Sequence, residues 1–158
     1  MKPRPLLLLA LSAFLPLCGC VTVEMKEKKA ARLVMEDAIR HEEPGNYYVG
    51  RRYYKQDYKF WGFVRKPREQ WITAKLVMLN EQSKLAPDRE LGKIGSDNNY
   101  EYKLYGDFSG QTVYEPASNG FYPEFVLKSY ELRTITPAPI YKEPGATDPA
   151  RRVIATPY

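Results

Sequence analysis

The sequence predicts a mainly β protein, a small antiparallel barrel or sandwich with one helix before it and a Pro-rich tail after it. Three observations point there. Short runs of alternating apolar and polar residues recur between Asn46 and Thr136. Turn signals rich in Gly, Pro and Asn separate these runs. The span is heavy in Tyr, Phe, Trp and Val, the residues that suit a pleated surface. Its 91 residues, 46–136, fit a five- or six-stranded, partly closed barrel of the OB or SH3-like kind.

The elements follow in order. Thr22 to Glu43 lacks Gly and Pro and is rich in helix formers. Val23, Ala30, Val34 and Ala38 recur near helical spacing, with Leu33 and Ile39 beside them, and Pro44-Gly45 stops the segment. The apolar stripe is weak, so a spacer role is favoured over packing on the domain. Tyr58 to Arg65 reads as a strand with Tyr58, Phe60 and Val64 on one face. After the turn Lys66 to Gln70, Trp71 to Leu79 reads as its hairpin partner, with Ile72, Ala74, Leu76 and Met78 inward. A polar loop runs from Asn80 to Asn99. The next strand places Tyr100, Tyr102, Leu104 and Phe108 on one face, against Glu101, Lys103 and Asp107. Ser109 to Gln111 reads as a turn into Thr112 to Tyr114, and Glu115 to Gly120 as a second turn. Phe121 to Arg133 gives a last strand, broken early by Pro123. Residues 137–158 hold five of the 13 prolines and read as an extended, largely unpaired tail.

The first 20 residues carry the most specific signal. Lys2 and Arg4 precede the apolar run Leu6 to Leu15, which has signal-peptide length and is too short to span a bilayer. The run ends in Leu17-Cys18-Gly19-Cys20. This segment resembles the lipobox of bacterial lipoproteins, with Leu17, Gly19 and Cys20 matching it directly. Cys18 fills the slot usually held by Ala, Ser, Thr or Val. As a rival lipidation site it is preceded by the bulky Leu17, so Cys20 is preferred. The resemblance implies a signal peptide over 1–19, with Leu17, Cys18 and Gly19 recognised by the signal peptidase. It also implies a covalent lipid on Cys20 as the one attached group and a membrane as partner. Several acyl chains make a stable anchor, at ~0.8 kcal/mol per buried methylene. Val21, in place of an Asp, implies the outer membrane and its periplasmic face. Residues 20–45 would then serve as anchor and helical spacer, 46–136 as the β domain.

Composition excludes several classes. The two cysteines, Cys18 and Cys20, rule out a disulfide scaffold and a four-cysteine zinc site. Removing Lys2 and Arg4 leaves 22 basic against 19 acidic side chains, a net of +3. With Arg51-Arg52, Arg65-Lys66 and Arg151-Arg152 scattered, that is no nucleic-acid footprint. His41, the single histidine, sits between Arg40 and Glu42 near the helix end, where a capping role is expected. Asp97 to Glu101 begins like a calcium loop but lacks the required Gly and the later Glu. Ser96-Asp97-Asn98 lacks the partner motifs of penicillin-binding enzymes.

Aromatics crowd the stretch from Tyr47 to Trp71. Alternation would send Trp61 and Phe63 opposite Phe60. With Tyr53, Tyr54, Trp71, Arg51 and Arg52 they form a candidate binding surface. The competing reading has these rings filling both sides of a barrel wall, under the helix. The functional expectation is a non-catalytic protein-interaction or structural module of the cell envelope. The alternative is a glycan or peptidoglycan binder using the aromatic surface. A small hydrolase would need Asp57, Asp88, Asp107 or Glu124 to converge.

Overall fold

The computed structural model describes residues 18–158. Residues 1–17, which carry most of the expected signal peptide and Leu17, lie outside the described residues. Five strands form a closed barrel: β1 (Tyr48–Arg52), β2 (Gly62–Arg65), β3 (Lys75–Asn80), β4 (Glu101–Glu115) and β5 (Gly120–Thr134). Their order around the barrel is β1-β2-β3-β5-β4, closed by β4 on β1. Every pair is antiparallel except β3 with β5. This is the small β-barrel expected. One helix precedes it, α1 (Cys18–Arg40), and a single helical turn, α2 (Pro87–Glu90), interrupts the β3–β4 loop. Among the described residues no helix is long and apolar enough to cross a membrane.

The chain has two apolar cores, one on each side of the barrel wall. Trp61, Val64, Val77, Tyr102, Leu104, Phe125 and Leu127 pack together inside, with Ala86 closing one end. Tyr100 and Phe108 join them, so the expected face Tyr100, Tyr102, Leu104, Phe108 is kept. Val49, Tyr53, Phe60, Phe63 and Trp71 form the second core on the outer wall. Met35 and Ile39 of α1 and Ile140, Ala146 and Ala155 of the tail cover it.

Several local readings change. The strand expected from Tyr58 begins only at Gly62, and Trp71–Thr73 is a 3-10 turn ahead of β3. Trp61 and Phe63, expected on one face, lie on opposite sides of the wall. The alternation slips at Gly62, where a Cβ would stand 2.2 Å from the Arg51 carbonyl oxygen. β1 carries Arg51 and Arg52 on opposite faces, both buried, so its alternation is invisible to hydropathy. Ser109 to Gln111 is a bulge inside β4 rather than a turn, with Gly110 at φ +81°. Pro123 does not break β5. It pairs with Thr112 beside that bulge and precedes the first residue joined to β3, Glu124.

The helix and tail also depart from expectation. α1 ends at Arg40; over its residues 25–40 Met35 and Ile39 are buried, while Leu33 and Val34 are exposed. The last turns of α1 therefore pack on the domain, and Arg32 stands over the Tyr158 ring of the tail. The tail has almost no backbone pairing of its own, a single Tyr141–Pro157 bridge, yet it is docked. Tyr53 Oη donates to Val153 O and accepts from Ala155 N, both at 3.0 Å. Tyr58 Oη donates to Arg152 O, and Asn98 Nδ2 to Thr147 O. Lys55 Nζ, 1% exposed, donates to Ala146 O and Asp148 O at 2.7 Å. Burial pushes its pKa down. Proline lacks the N–H that a ladder needs, so donors from the β1–β2 loop and Asn98 of the β3–β4 loop hold most of the tail instead.

Ile140 is fully buried. Ile140→Ala should therefore lower the unfolding free energy from denaturant titration by ~2–5 kcal/mol, as for other large-to-small core changes. An unfolding curve superimposing on the parent would show that the tail contributes nothing to the core.

Candidate functional site

Two regions stand apart from ordinary packing. The first is a charged cluster where α1 meets the barrel. Glu42, just beyond α1, is buried and accepts hydrogen bonds from Nη2 and Nη1 of Arg65, at 2.7 and 2.8 Å. Arg133 Nη1 of β5 donates to it at 2.8 Å, and the Arg68 backbone N–H at 2.9 Å. Arg68 holds φ +67°, a left-handed conformation that aims this N–H at the carboxylate. Arg133 Nη1 also lies 3.0 Å from Glu101, which accepts from Arg51 Nη2 at 2.6 Å. Arg51 and Arg65 both stand over the Trp71 ring, 5.2 and 4.4 Å from its centroid. Strand pairing builds this grouping: Arg51 lies opposite both Phe63 of β2 and Glu101 of β4, and Arg65 opposite Val49.

Burial pushes the Glu42 carboxyl up. The hydrogen bonds from Arg65, Arg133 and Arg68 outweigh it and hold the pKa at about 2, against an ordinary 4.5. A second, simpler plug fills the end of the barrel near α2. Arg52 Nη2 donates to Asp88 at 2.9 Å, and its Nε to Asp97 at 3.3 Å. Tyr102 Oη donates to Asp97 at 3.1 Å. Asp97, the start of the apparent calcium motif, is thus engaged by Arg52. Burial pushes Asp97 up, whereas Asp88 is drawn down, since Arg52 and the Gly95 N–H outweigh its burial.

The second region is the outer half of the β4–β5 hairpin. Tyr114 and Phe121 pair across the strands, their rings 5.1 Å apart, 47% and 70% exposed. The arm bearing them is fixed. Glu115, 1% exposed, accepts from the Ala117 and Ser118 N–H groups. Tyr122 packs on Phe60 at 5.6 Å and donates to Ser118 Oγ. Tyr114 Oη donates to Asn119 Oδ1 at the turn. Alternation then puts Tyr122 down on the barrel and Phe121 out in water.

The residues expected as a binding surface are placed otherwise. Arg51, Arg52, Tyr53, Trp61, Phe63 and Trp71 are all buried, at 5% exposure or less, and Tyr54 is half-buried. They form the two cores and the two charged plugs, not a platform. Cys18, Gly19 and Cys20 fall within α1. His41 is exposed, its Nδ1 2.9 Å from Asp37 O. The four candidate carboxylates have separate partners: Asp57 with Arg152, Asp88 with Arg52, Asp107 with Lys128, Glu124 with Asn80. Among the described residues no group of three or more His, Cys, Asp and Glu side chains could hold a metal ion. Phe121 and Glu42 were both overlooked in the sequence. Phe121 had one usable signal, its place next to the Asn-Gly of a hairpin turn. Comparison with protein-family models, with curated proteins and with solved structures gave no match.

Because the Glu42 pKa is lower in the folded state, its contribution is full above about pH 4.5 and is lost as pH falls toward about 2. Glu42→Gln should destabilise the protein by ~3–5 kcal/mol at neutral pH, the usual cost of stranding a buried partner charge. It should also flatten the acid limb of stability over that pH range. A variant whose thermal midpoint falls with acid as steeply as the parent's would show that Glu42 is not the group responsible.

Proposed function

We propose that this chain is a small outer-membrane lipoprotein, anchored through Cys20, whose barrel is a non-catalytic protein-interaction module of the cell envelope. The observation that supports a binding role is the Phe121–Tyr114 pair. A large aromatic ring held 70% exposed on an arm tied down by Glu115 is already ordered, so a partner covering it loses little conformational freedom. Membrane attachment rests on the lipobox resemblance. The geometry of α1 suits it: Cys20 precedes Met35, the first core residue, by 15 positions, or roughly 22 Å of helix. The barrel would stand off the bilayer by a helix whose far end is clamped by Glu42.

A second reading keeps the aromatic surface but changes the ligand. Phe121 and Tyr114 beside the Asn119 amide also suit stacking on glycan rings, which would make peptidoglycan the partner. The rings expected for that role between Arg51 and Trp71 are interior, so the reading now rests on the hairpin alone.

Cys20→Ala should abolish acyl labelling and release the protein from membranes, seen by metabolic labelling and fractionation. Labelling that persists would move the site to Cys18. A photo-crosslinker at the exposed Thr112, on the strand face that carries Tyr114, should capture a protein partner in intact cells. Phe121→Ser should weaken that capture with a thermal midpoint close to the parent's, since the side chain is largely in water. Binding to purified sacculi that Phe121→Ser reduces, without protein capture, would select the glycan reading. Failure of both would remove the hairpin as the binding surface.

A further inference from the structure

α1 has two faces, and the domain covers one of them. Met35 and Ile39 are buried, whereas Leu33 and Val34 are 56% and 68% exposed. Lys26, Lys29 and Ala30 are exposed with them. Their spacing, at 26, 29, 30, 33 and 34, puts these five on the side of the helix turned away from Met35 and Ile39. Charge is also divided along this segment. Residues 21–34 carry four basic side chains against two acidic, and residues 35–43 carry one basic against four acidic, with His41 neutral. The helix macrodipole favours the opposite distribution, acidic first and basic last, so helix stability does not account for it. Apolar side chains flanked by lysines on an exposed helix face suit a headgroup layer. There the ammonium groups reach phosphate while the apolar groups and lysine stems lie toward the acyl boundary.

We propose that this face of α1 lies against an anionic phospholipid surface. It takes its geometry from the Cys20 anchor, and so rests on that reading. Lys26 stands six residues after Cys20, roughly 9 Å of helix, and Val34 fourteen, roughly 21 Å. The helix is then inclined, with residues 26–34 in the headgroup layer and the acidic end turned to water with the barrel. Lipid phosphates attract the basic half and repel the acidic half, so charge sets the direction of tilt. A second copy fits this face less well. Anchored side by side in one membrane, two such helices run parallel, which brings Lys26 against Lys26 and Asp37 against Asp37. An antiparallel pair would point the two Cys20 anchors at opposite bilayers.

The test uses the acylated chain in lipid nanodiscs, of phosphatidylcholine alone or mixed with phosphatidylglycerol. A bimane label at Val34→Cys reports contact through quenching by a spin-labelled headgroup. Quenching should be strong in the mixed discs, weak in phosphatidylcholine alone and reversed by high salt. Lys26→Gln and Lys29→Gln should each lower the ratio of contacting to free helix about fivefold. The same label at Arg40→Cys, in the acidic half, should stay weakly quenched. Equal quenching in the two lipid mixtures, or quenching unchanged by the two lysine substitutions, would overturn the proposal. So would shielding of the label in detergent that grows with protein concentration, which would assign the face to a second copy. If Cys20 carries no acyl group, the anchor reading fails by itself. The labelled chain, with Cys18→Ala and Cys20→Ala to leave one thiol, is then mixed with free vesicles of the same two compositions. Quenching by the anionic vesicles alone, lost with Lys26→Gln and Lys29→Gln, would still support the lipid face, and its absence would overturn it.

Discussion

A five-stranded barrel has room inside for only a handful of large side chains, and this chain carries far more. Trp61, Tyr102, Leu104, Phe125 and Leu127 already fill the interior. Val49, Tyr53, Phe60, Phe63 and Trp71 must then face outward, and left bare they would form a large apolar wall. Covering that wall is the constraint on which the other parts depend. It explains why Met35 and Ile39 of α1 dock there, why a proline-rich tail is laid across it, and why the β4–β5 hairpin folds its Tyr122 onto Phe60. Without those covers the barrel would keep its ladder but expose the larger of its two cores.

The covers bring their own problem. A helix end and an irregular tail carry backbone groups that a sheet would have paired, and some charges are trapped beneath them. Tyrosine solves part of it, since one face of the ring packs while the hydroxyl reaches a carbonyl. Tyr53 and Tyr58 do this toward Val153 and Arg152, and Tyr47 toward Glu43 O at 2.6 Å. Three of the 13 tyrosines work at the seams in this way. Arginine solves another part. Arg65 and Arg133 converge on Glu42 and fix the direction in which α1 leaves the barrel. Such a cluster adds less to stability than its short distances suggest, because each charge is desolvated. Its value is geometric: Arg65, Arg133 and the Arg68 N–H meet on Glu42 at the point where the chain leaves α1.

How much of this was legible follows from what each residue contributes. The alternation at Tyr100, Tyr102, Leu104 and Phe108 is a strand pattern wherever it occurs, and it folded as read. The Asn119-Gly120 turn was equally plain, because Asn119 takes φ +51° and few residues do so readily. β1 was hidden, because Arg51 and Arg52 look like surface residues until Glu101, Asp88 and Asp97 are brought to them from 36 to 50 positions away. The candidate surface failed for a related reason. Period-two reasoning assigns one face to water, and here both faces are covered. The slip at Gly62 then separated Trp61 from Phe63.

The sequence by itself determined the β class, the helix before it, the Asn119-Gly120 turn and the lipobox resemblance. These are local properties, set by side-chain spacing and backbone preference within a few residues. Only the tertiary structure decided that β3 and β5 pair in parallel, that Tyr53, Phe60, Trp61, Phe63 and Trp71 are interior, and that the tail is docked. Each of those depends on contacts between residues far apart in the chain, whose energies no local pattern encodes. Exposure belongs to the same class. Phe121 and Phe63 are one residue type in similar strand patterns, and only the placement of α1 and the tail leaves one in water and buries the other.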